Sequence, residues 1–600
     1  MATVVALQLG LGIWQCLKYE RGQEYQAAFG WGVALAKFAA GALYPTLFFL
    51  LLSMSRWWST MMRRFYYISR FINWDHSQAF HILMSIEVLI LASLHAIGHL
   101  SGTFNWGSRP DRQQAVGVLL GQDAIPRDYI DYIRSLPGWS GLTALGLFYL
   151  ISLMSMPIIR SWSYQLFQCV HLLMFPFVGL LMAHGSLALL QFPVMGFVLA
   201  IPTALVIIER LARLINGCIR IPAKLEILDE ATVCLTCSIP KGRIWRYEAG
   251  QYVFLQVPQL SFFQWHPFTI STCIGREMQL HIKTDGNWTG KLRHLVDSLG
   301  YVGIDGPFGA PAQRFYDFDQ AIIVGAGIGI TPFSGILTDL QTREDHRWSP
   351  TYRGRNRGPQ RRRSSSNSSN SRSSLASPST LALAKERLAR KRESTATRSK
   401  EAAESSSEAY IPRQSDSDGP EQEAKGGLSR HTSLLPNRQH VDLDLYRRVD
   451  LHWIVRDKNY LLWFSDLLNR VCLSDDHDRD HLDIRLQSHV TRKVDDLPLH
   501  VFRCLMERHR SKAKPLSLFT GLASPTHFGR PDFQSIMNRH YQDMCELFAK
   551  DITRRRRVGV FFCGAPIIGA QLADLCHELT LRGAHDGSMI EYHFKIEVFG

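Results

Sequence analysis

Cysteine is scarce and scattered, eleven residues in 600, with no spacing that makes a disulfide framework. Cys234 and Cys237 have CxxC spacing. They sit, however, in the alternating stretch Thr232-Val233-Cys234-Leu235-Thr236-Cys237, which reads as a core strand rather than a redox or zinc site. Acidic residues are in deficit, 53 against 67 basic ones, for a formal charge of +14. That excess does not mark a nucleic-acid module: zinc-finger spacing, a basic helix running into heptads and an RNA-binding sheet signature are all missing. It gathers at Arg361–Arg363, between Lys385 and Lys391, at Arg554–Arg557 and beside apolar runs. Anionic lipid and phosphorylated small molecules are therefore the expected partners, and nucleic acid is not.

Apolar residues make up 46% of the chain but are unevenly placed. Long apolar runs dominate up to about residue 210, and the remainder looks like a soluble α/β chain with a polar interruption. Single cores seldom grow past about 250 to 300 residues, so several domains are expected. A membrane-spanning helix takes about 20 mainly apolar residues. Six candidates lie at about 3–19, 30–54, 76–100, 139–159, 165–188 and 190–208. The first is short and begins at the initiator, but it lacks a basic leader and a small-residue cleavage site, so it reads as a retained span. Arg56, Arg63, Arg64 and Arg70 follow the second span, Arg160 follows the fourth, and Arg210, Arg213 and Arg220 follow the sixth. These mark cytosolic ends. An integral, multi-pass protein of the plasma membrane or an endomembrane follows, with its N-terminus and C-terminal half in the cytosol.

Histidines within the spans carry most of the chemical information, because an ionisable group in hydrocarbon is costly without a partner or a pathway. His81 and His95 are 14 residues apart in the third span, and His171 and His184 are 13 apart in the fifth. At 1.5 Å per residue, two such helices present one imidazole each at two depths about 20 Å apart. This is the arrangement for two stacked bis-histidine haems. Direction is the harder test, since 14 residues leave His95 within about 40° of His81 while 13 leave His184 about 140° from His171. Pro176, between the latter two, can kink the helix and supply the correction. His99 is one turn beyond His95, on the same face. Arg56 reads either as a partner for a haem propionate or anion, or as an inner positive-side residue, and the topology begins it on the inner side.

From Ile221 to about Val302 apolar residues alternate between Gly and Pro, as in a small barrel. Within it, in His266-Pro267-Phe268-Thr269-Ile270, Pro267 fixes the backbone, Phe268 can pack a ring system, and Thr269 with nearby amides can bind a phosphate or an isoalloxazine edge. Lys283, in His281-Ile282-Lys283, is either a charge for a pyrophosphate or a surface lysine. A doubly wound unit follows. The apolar strand Gln320–Val324 runs into Gly325-Ala326-Gly327-Ile328-Gly329-Ile330-Thr331-Pro332, where alternating glycines permit close approach of phosphates and the next helix supplies amide donors. Thr331 can cap that helix, and Pro332 suits its first turn. In a second strand-turn pair, Val558–Phe562, Cys563 and Gly564 would meet a ligand crevice, although a lone cysteine there is as readily a small core residue. Arg456 and Arg530 could bind a 2'-phosphate, because a guanidinium matches phosphate geometry, an assignment that draws its force from the resemblance below. Residues 342–440, rich in serine and arginine and poor in aromatics, read as a disordered cytosolic insertion, either a passive linker or a phosphorylation switch.

With these motifs in place, the sequence resembles the NADPH oxidase branch of the ferric reductase superfamily, a fungal-type catalytic subunit without EF-hands, over about residues 1–341 and 441–600. The spacings of His81/His95 and His171/His184 match that family's haem ligands. His95-Ala96-Ile97-Gly98-His99 also matches, which makes His99 an oxygen-site candidate, and Arg56 matches the family's arginine near the haems. His266-Pro267-Phe268-Thr269 and His281-Ile282-Lys283 look like its FAD contacts. Gly306-Pro307-Phe308-Gly309 and Gly325 to Pro332 look like its NADPH motifs, with Arg456, Arg530 and Cys563-Gly564 at the adenosine-phosphate and nicotinamide ends. Phe599 fits the terminal aromatic that stacks on flavin, although Gly600 follows it.

The resemblance implies a six-helix transmembrane haem-binding bundle (1–210), a ferredoxin-reductase-like FAD-binding β-barrel (220–315) and an α/β NADPH-binding domain (316–341 with 441–600). It implies hydride transfer from NADPH to FAD. Single electrons then pass through an inner b-type haem on His81 and His171 to an outer one on His95 and His184, and on to molecular oxygen as superoxide. A ferric or cupric reductase with the same cofactor chain is the competing reading. A small transmembrane subunit, a cytosolic activator and a Rho-family GTPase are the partners such relatives often need.

Overall fold

The computed structural model describes residues 1–65, 68, 72–187, 192–318, 320–347, 447–473, 482–493, 496–509, 511, 514–547 and 556–597. Phe599 lies outside them, as does the expected insertion from residue 348 onward; its first six residues close a helix that ends at Arg347. The chain divides into two units. One comprises Met1–Ala223 with Gln251–Phe268 and Gly300–Ala310, the other Lys224–Gly250, Thr269–Leu299 and Pro311–Gly600.

The first unit is a helical bundle. Its main helices are α1 (Ala2–Arg21), α2 (Gly32–Leu52), α3 (Ser77–Ile97), α4 (Leu136–Met154), α5 (Tyr164–His171), α6 (Met174–His184) and α7 (Val194–Cys218). Among the described residues five spans are long and apolar enough to cross a bilayer: α2, α3 with its extension to Gly107, α4, α5 with α6, and α7. A multi-pass membrane protein with a large soluble, cytosolic C-terminal half is the result. The count is five where six were expected, because α1 is too polar to qualify. It turns Gln8 and Gln15 inward, and the Gln8 amide donates to Thr46 Oγ1 on α2 at 2.9 Å and to Glu87 Oε2 on α3 at 2.6 Å. A side chain satisfied in this way anchors α1 to its neighbours, since an unpaired polar group in hydrocarbon is expensive.

Small residues bring α2 and α3 together. After Ile97 the span begun by α3 continues as a π-helical turn, Gly98–Thr103. A Cβ on Gly102 would come within 2.5 Å of the Gly32 Cα, and one on Gly98 within 2.9 Å of the Ala36 amide. Two GxxxG-like pairs, Gly32/Ala36 and Gly98/Gly102, therefore face each other backbone to backbone. The span Tyr164–His184 is broken at Leu172–Leu173, between α5 and α6. Pro176 accounts for the break, because its ring clashes with the carbonyl four residues back, at Leu172, and it has no amide hydrogen to give.

The β-rich half opens with β1 (Ile221–Asp229), β2 (Thr232–Ser238), β3 (Tyr252–Gln256), β4 (His266–Thr269), β5 (Thr272–Ile274), β6 (Glu277–Lys283) and β7 (Tyr301–Phe308), in the order β4-β3-β7-β1-β2-β6-β5. These strands make one seven-stranded sheet with β4 and β5 at the ends of its order, which is as much of the expected barrel as the pairing shows. Cys234 and Cys237 are buried in β2, as a core strand requires. In the first unit β7 is fixed to α7 by Asp305, which accepts from Arg213 Nε at 2.8 Å and Asn216 Nδ2 at 2.9 Å. The second unit holds a six-stranded sheet, β8 (Gln320–Ala326), β9 (Arg447–Val455), β10 (Leu482–Val490), β11 (Thr526–Phe528), β12 (Arg556–Cys563) and β13 (Ile590–Glu597), in the order β11-β10-β9-β8-β12-β13. All its pairs are parallel. Buried Val, Ile, Leu, Phe and Trp fill both faces, as a doubly covered parallel sheet demands.

Candidate functional site

In the membrane unit the four span histidines meet in two pairs. The ring centroids of His81 and His171 are 6.3 Å apart, and those of His95 and His184 are 5.9 Å apart. The break ahead of Pro176 is what lets His171 and His184 each reach a partner on α3, which a straight helix with their 13-residue spacing would not. Each ring is also held from behind. The Nδ1 atoms of His81, His95 and His184 lie 3.1, 2.8 and 2.8 Å from the carbonyls of Leu50, Ala36 and Pro137, and that of His171 is 3.4 Å from Ser155 Oγ. A carbonyl only accepts, so the first three rings carry their proton on Nδ1 and keep the Nε2 lone pair for a ligand.

Two imidazole–metal bonds of about 2 Å, plus the distance from each ring centre to its nitrogen, place facing centroids roughly 6 Å apart. Both pairs match that separation. Among the described residues no three or more His, Cys, Asp or Glu side chains converge as a metal cage. Paired histidines suit a metal that brings its own equatorial ligands, as haem iron does.

The outer pair opens on a cavity of about 250 Å³ lined by His95, His184, His99, Lys37, Arg127 and Tyr132. The His99 ring packs edge-on to His95 at 4.7 Å and stacks on Phe104 at 5.6 Å. Its buried Nδ1 has no hydrogen-bond partner among the described residues, so it is available to a guest in the cavity. Arg56 is not in this cavity. It opens the short helix Arg56–Arg63 beyond the end of α2, where Glu209 accepts from the Arg56 and Trp57 amides and from Ser55 Oγ. The buried cation beside the outer pair is Lys37, near the start of α2, with its ammonium 4.9 Å from the Tyr19 ring. About 22 Å of helix separates Lys37 from Leu52 at the far end of α2. Sequence reasoning passed over Lys37, although a lone lysine inside an apolar span was a visible signal.

In the second unit the ligand-facing candidates line up along one edge of the sheet. β8 and β12 are adjacent, with Cys563 opposite Gly325, and the chain order reverses between them, the usual position of a dinucleotide crevice. Gly327 has φ +56°, a left-handed conformation that favours glycine. Gly329 has no room for a side chain because a Cβ would strike the Cys563 carbonyl. Trp453 Nε1 donates to the Gly327 carbonyl at 3.1 Å and fixes the turn. Gly327–Ile330 forms a 3-10 turn and Thr331 is already helical (φ −56°, ψ −39°). Thr331 is thus the first residue of helix α8 (Thr331–Arg347) and not an outside cap, and Pro332 falls one position further in.

Arg456 follows β9 directly and Arg530 lies two residues past β11, both exposed. Arg492, which the sequence did not single out, lies two residues past β10, between them. At the other end of the row Cys563 is buried, and burial holds its thiol up and protonated. Gly564 begins the turn into the helix Pro566–His585.

The candidates of the smaller sheet are more dispersed. His266, Pro267, Phe268 and Thr269 form the edge strand β4, with Pro267 exposed and Phe268 half-buried. His281 is buried on β6, its Nδ1 2.7 Å from Ser271 Oγ, and burial lowers its pKa to about 4. Lys283 is half-exposed and paired with Asp285. Gly306 and Pro307 belong to the end of β7 in the first unit, and the Gly309 amide donates to Thr60 Oγ1 at 3.1 Å.

Three families match successive parts of the chain: "Ferric reductase like transmembrane component" over residues 47–182, "FAD-binding domain" over 219–312 and "Ferric reductase NAD binding domain" over 318–577. Among curated proteins, Dual oxidase 2 of Sus scrofa is 23% identical over 581 residues, covering 94% of this chain and 30% of its own length. Putative respiratory burst oxidase homolog protein G of Arabidopsis thaliana is 23% identical over 621 residues, covering 96% of this chain and 62% of its own. The chain thus spans about a third of the dual oxidases and under two thirds of the plant relative. Among solved structures, a ferredoxin NADP+ reductase from Neisseria gonorrhoeae with bound FAD and NADP aligns over 63% of this chain and 98% of its own, at 11% identity and a TM-score of 0.28.

Proposed function

On the premise that this chain carries the domain architecture of the ferric reductase/NADPH oxidase superfamily, we propose that it conducts electrons from cytosolic NADPH across the membrane to molecular oxygen, yielding superoxide. The observation that carries this reading is the pair of facing imidazoles at two depths, each ring tied from behind through Nδ1. FAD, when bound, converts two-electron into one-electron chemistry, and two b-type haems would supply the relay across the bilayer.

The chain's own part is to bind, orient and exclude. His81 with His171 would hold the inner haem, and His95 with His184 the outer one. The edge strand His266–Thr269 would take a flavin ring system, and on β6 Lys283 would offer its charge to a pyrophosphate, with His281 as a further flavin contact. The glycine turn Gly325–Gly329 at the start of α8 offers amides and space to a pyrophosphate, the exposed Arg456 and Arg530 offer guanidinium groups to a 2'-phosphate, and Cys563-Gly564 bounds the nicotinamide end. His95 and His184 would hold the outer haem between them, and oxygen would be received in the adjoining cavity. His99 and Lys37 would place it, with Lys37 offering positive charge to a developing anion. Arg56 takes the inner positive-side role.

The test is the purified protein in liposomes with NADPH and FAD. Superoxide formation should exceed ferric-chelate reduction under air. Ferric reduction that persists without oxygen, with negligible aerobic superoxide, would assign the chain to metal reduction instead.

A further inference from the structure

Three parallel strands end side by side in the second unit, and each is followed within two residues by an arginine. Val455, Val490 and Phe528 are in register at the ends of β9, β10 and β11. The backbone ladder runs on past them: the Thr491 amide donates to the Val455 carbonyl at 2.8 Å, Arg492 to Arg456 at 3.0 Å, and Gly529 to Val490 at 2.9 Å. Arg492 is therefore fixed beside Arg456, and Arg530 comes one residue after Gly529. The Arg492 guanidinium donates to Oδ2 of Asp457, two residues past β9, at 3.0 Å, while remaining 69% exposed. Asp457 also accepts from the Asn459 amide, which together with Arg492 keeps its carboxyl ionised.

A carboxylate at a strand end beside the adenosine ribose is the usual reader of the 2'-hydroxyl in cofactors that lack a 2'-phosphate, and it repels those that have one. Left alone, Asp457 would oppose Arg456 and Arg530. We propose that Arg492 is a specificity-determining residue that masks Asp457 and supplies a third guanidinium to the 2'-phosphate, so that the Arg492–Asp457 pair decides between the phosphorylated and unphosphorylated dinucleotide. The inference rests on the NADPH reading above and deepens it. Removing Arg492 does two things at once: it takes away a cation and exposes an anion. Removing Arg530 does only the first.

The experiment measures kcat and KM for NADPH and for NADH with the full-length, FAD-loaded protein, using flavin reduction as readout. For Arg492→Ser, KM for NADPH should rise by about 10- to 100-fold, the range for a lost charged contact, while kcat at saturation stays within about twofold. KM for NADH should stay the same or fall. Adding Asp457→Asn should recover NADPH binding by roughly tenfold, and Arg492→Lys should keep the preference for NADPH because the positive charge remains. Unchanged constants for NADPH in Arg492→Ser, equal losses for both cofactors, or no recovery on adding Asp457→Asn would each overturn the proposal. If the unsubstituted protein binds NADH as well as NADPH, the broader cofactor reading has failed instead, independently of Arg492.

Discussion

Replacing Gly102 by Ala should displace the outer haem site without touching a ligand. Gly102 packs on Gly32, and a Cβ there would stand 2.5 Å from the Gly32 Cα. Carbon atoms in contact prefer about 3.5 to 4.0 Å, so α2 and the end of α3 must part by roughly 1.0 to 1.5 Å. The His95 Nδ1 to Ala36 carbonyl distance crosses this same interface at 2.8 Å. Added to it, that displacement gives about 4 Å, beyond hydrogen-bonding range. His95 then loses the contact that sets its tautomer and aim, which in metal sites typically costs about 10- to 100-fold in affinity. Overpacking itself destabilises by about 1 to 3 kcal/mol. The assay is haem content and a reductive titration of the purified variant: the outer component should be depleted or shifted, the inner one retained, and the melting temperature lowered. Two haems with unshifted midpoints in Gly102→Ala would refute the claim that this close crossing aims His95.

Two further outcomes follow from the soluble unit. Arg530→Ser should raise KM for NADPH about tenfold or more while leaving NADH nearly unaffected, and equal effects on both would remove Arg530 from the 2'-phosphate site. Besides His281, three buried histidines make this unit acid-sensitive: His452 and His540 are lowered to about 4 and His489 to about 3, in each case mainly by burial. Their neighbours are His527, Asp450, Arg448 and Asp543, and His452 Nδ1 lies 3.2 Å from His489 Nε2. All three are neutral in the fold but take protons near pH 6.5 when unfolded, so the unfolded state binds more protons below that pH. Their contribution is complete above about pH 6.5 and is lost as pH falls toward 4, by up to about 1.4 kcal/mol per pH unit for each. Thermal melts between pH 8 and 5 should show this slope, and His489→Gln should flatten it; a melting temperature indifferent to pH would contradict the assignment.

Much of this was legible in the residues. The 14- and 13-residue histidine spacings announced two tiers, and Pro176 announced the irregularity that reconciles the second spacing with the first. The glycine turn after β8 was legible too, because φ and space select glycine locally. Other features depended on tertiary contacts. Nothing local says that Gly32 and Gly102 touch, or that the Nδ1 atoms find the Leu50, Ala36 and Pro137 carbonyls. The placement of Lys37 rather than Arg56 beside the outer pair follows from where α2 begins, and span boundaries are the least certain part of a hydropathy reading. Arg492 was invisible because strand-end alignment across β9, β10 and β11 is set by register over long separations. The apolar run at residues 3–19 suggested a sixth span, and what the run did not reveal is that Gln8 within it turns inward to Thr46 and Glu87.

Four imidazoles holding two metal rings would give the chain a fixed haem content. The direct measurement is haem per chain, by extraction and by the reduced-minus-oxidised spectrum, in the purified FAD-loaded protein and in His171→Leu. Two b-type haems per chain, falling to one with the outer component intact in the variant, is the expected result. A cofactor-replete chain without haem absorption, or a His171→Leu protein that still carries two, would contradict it.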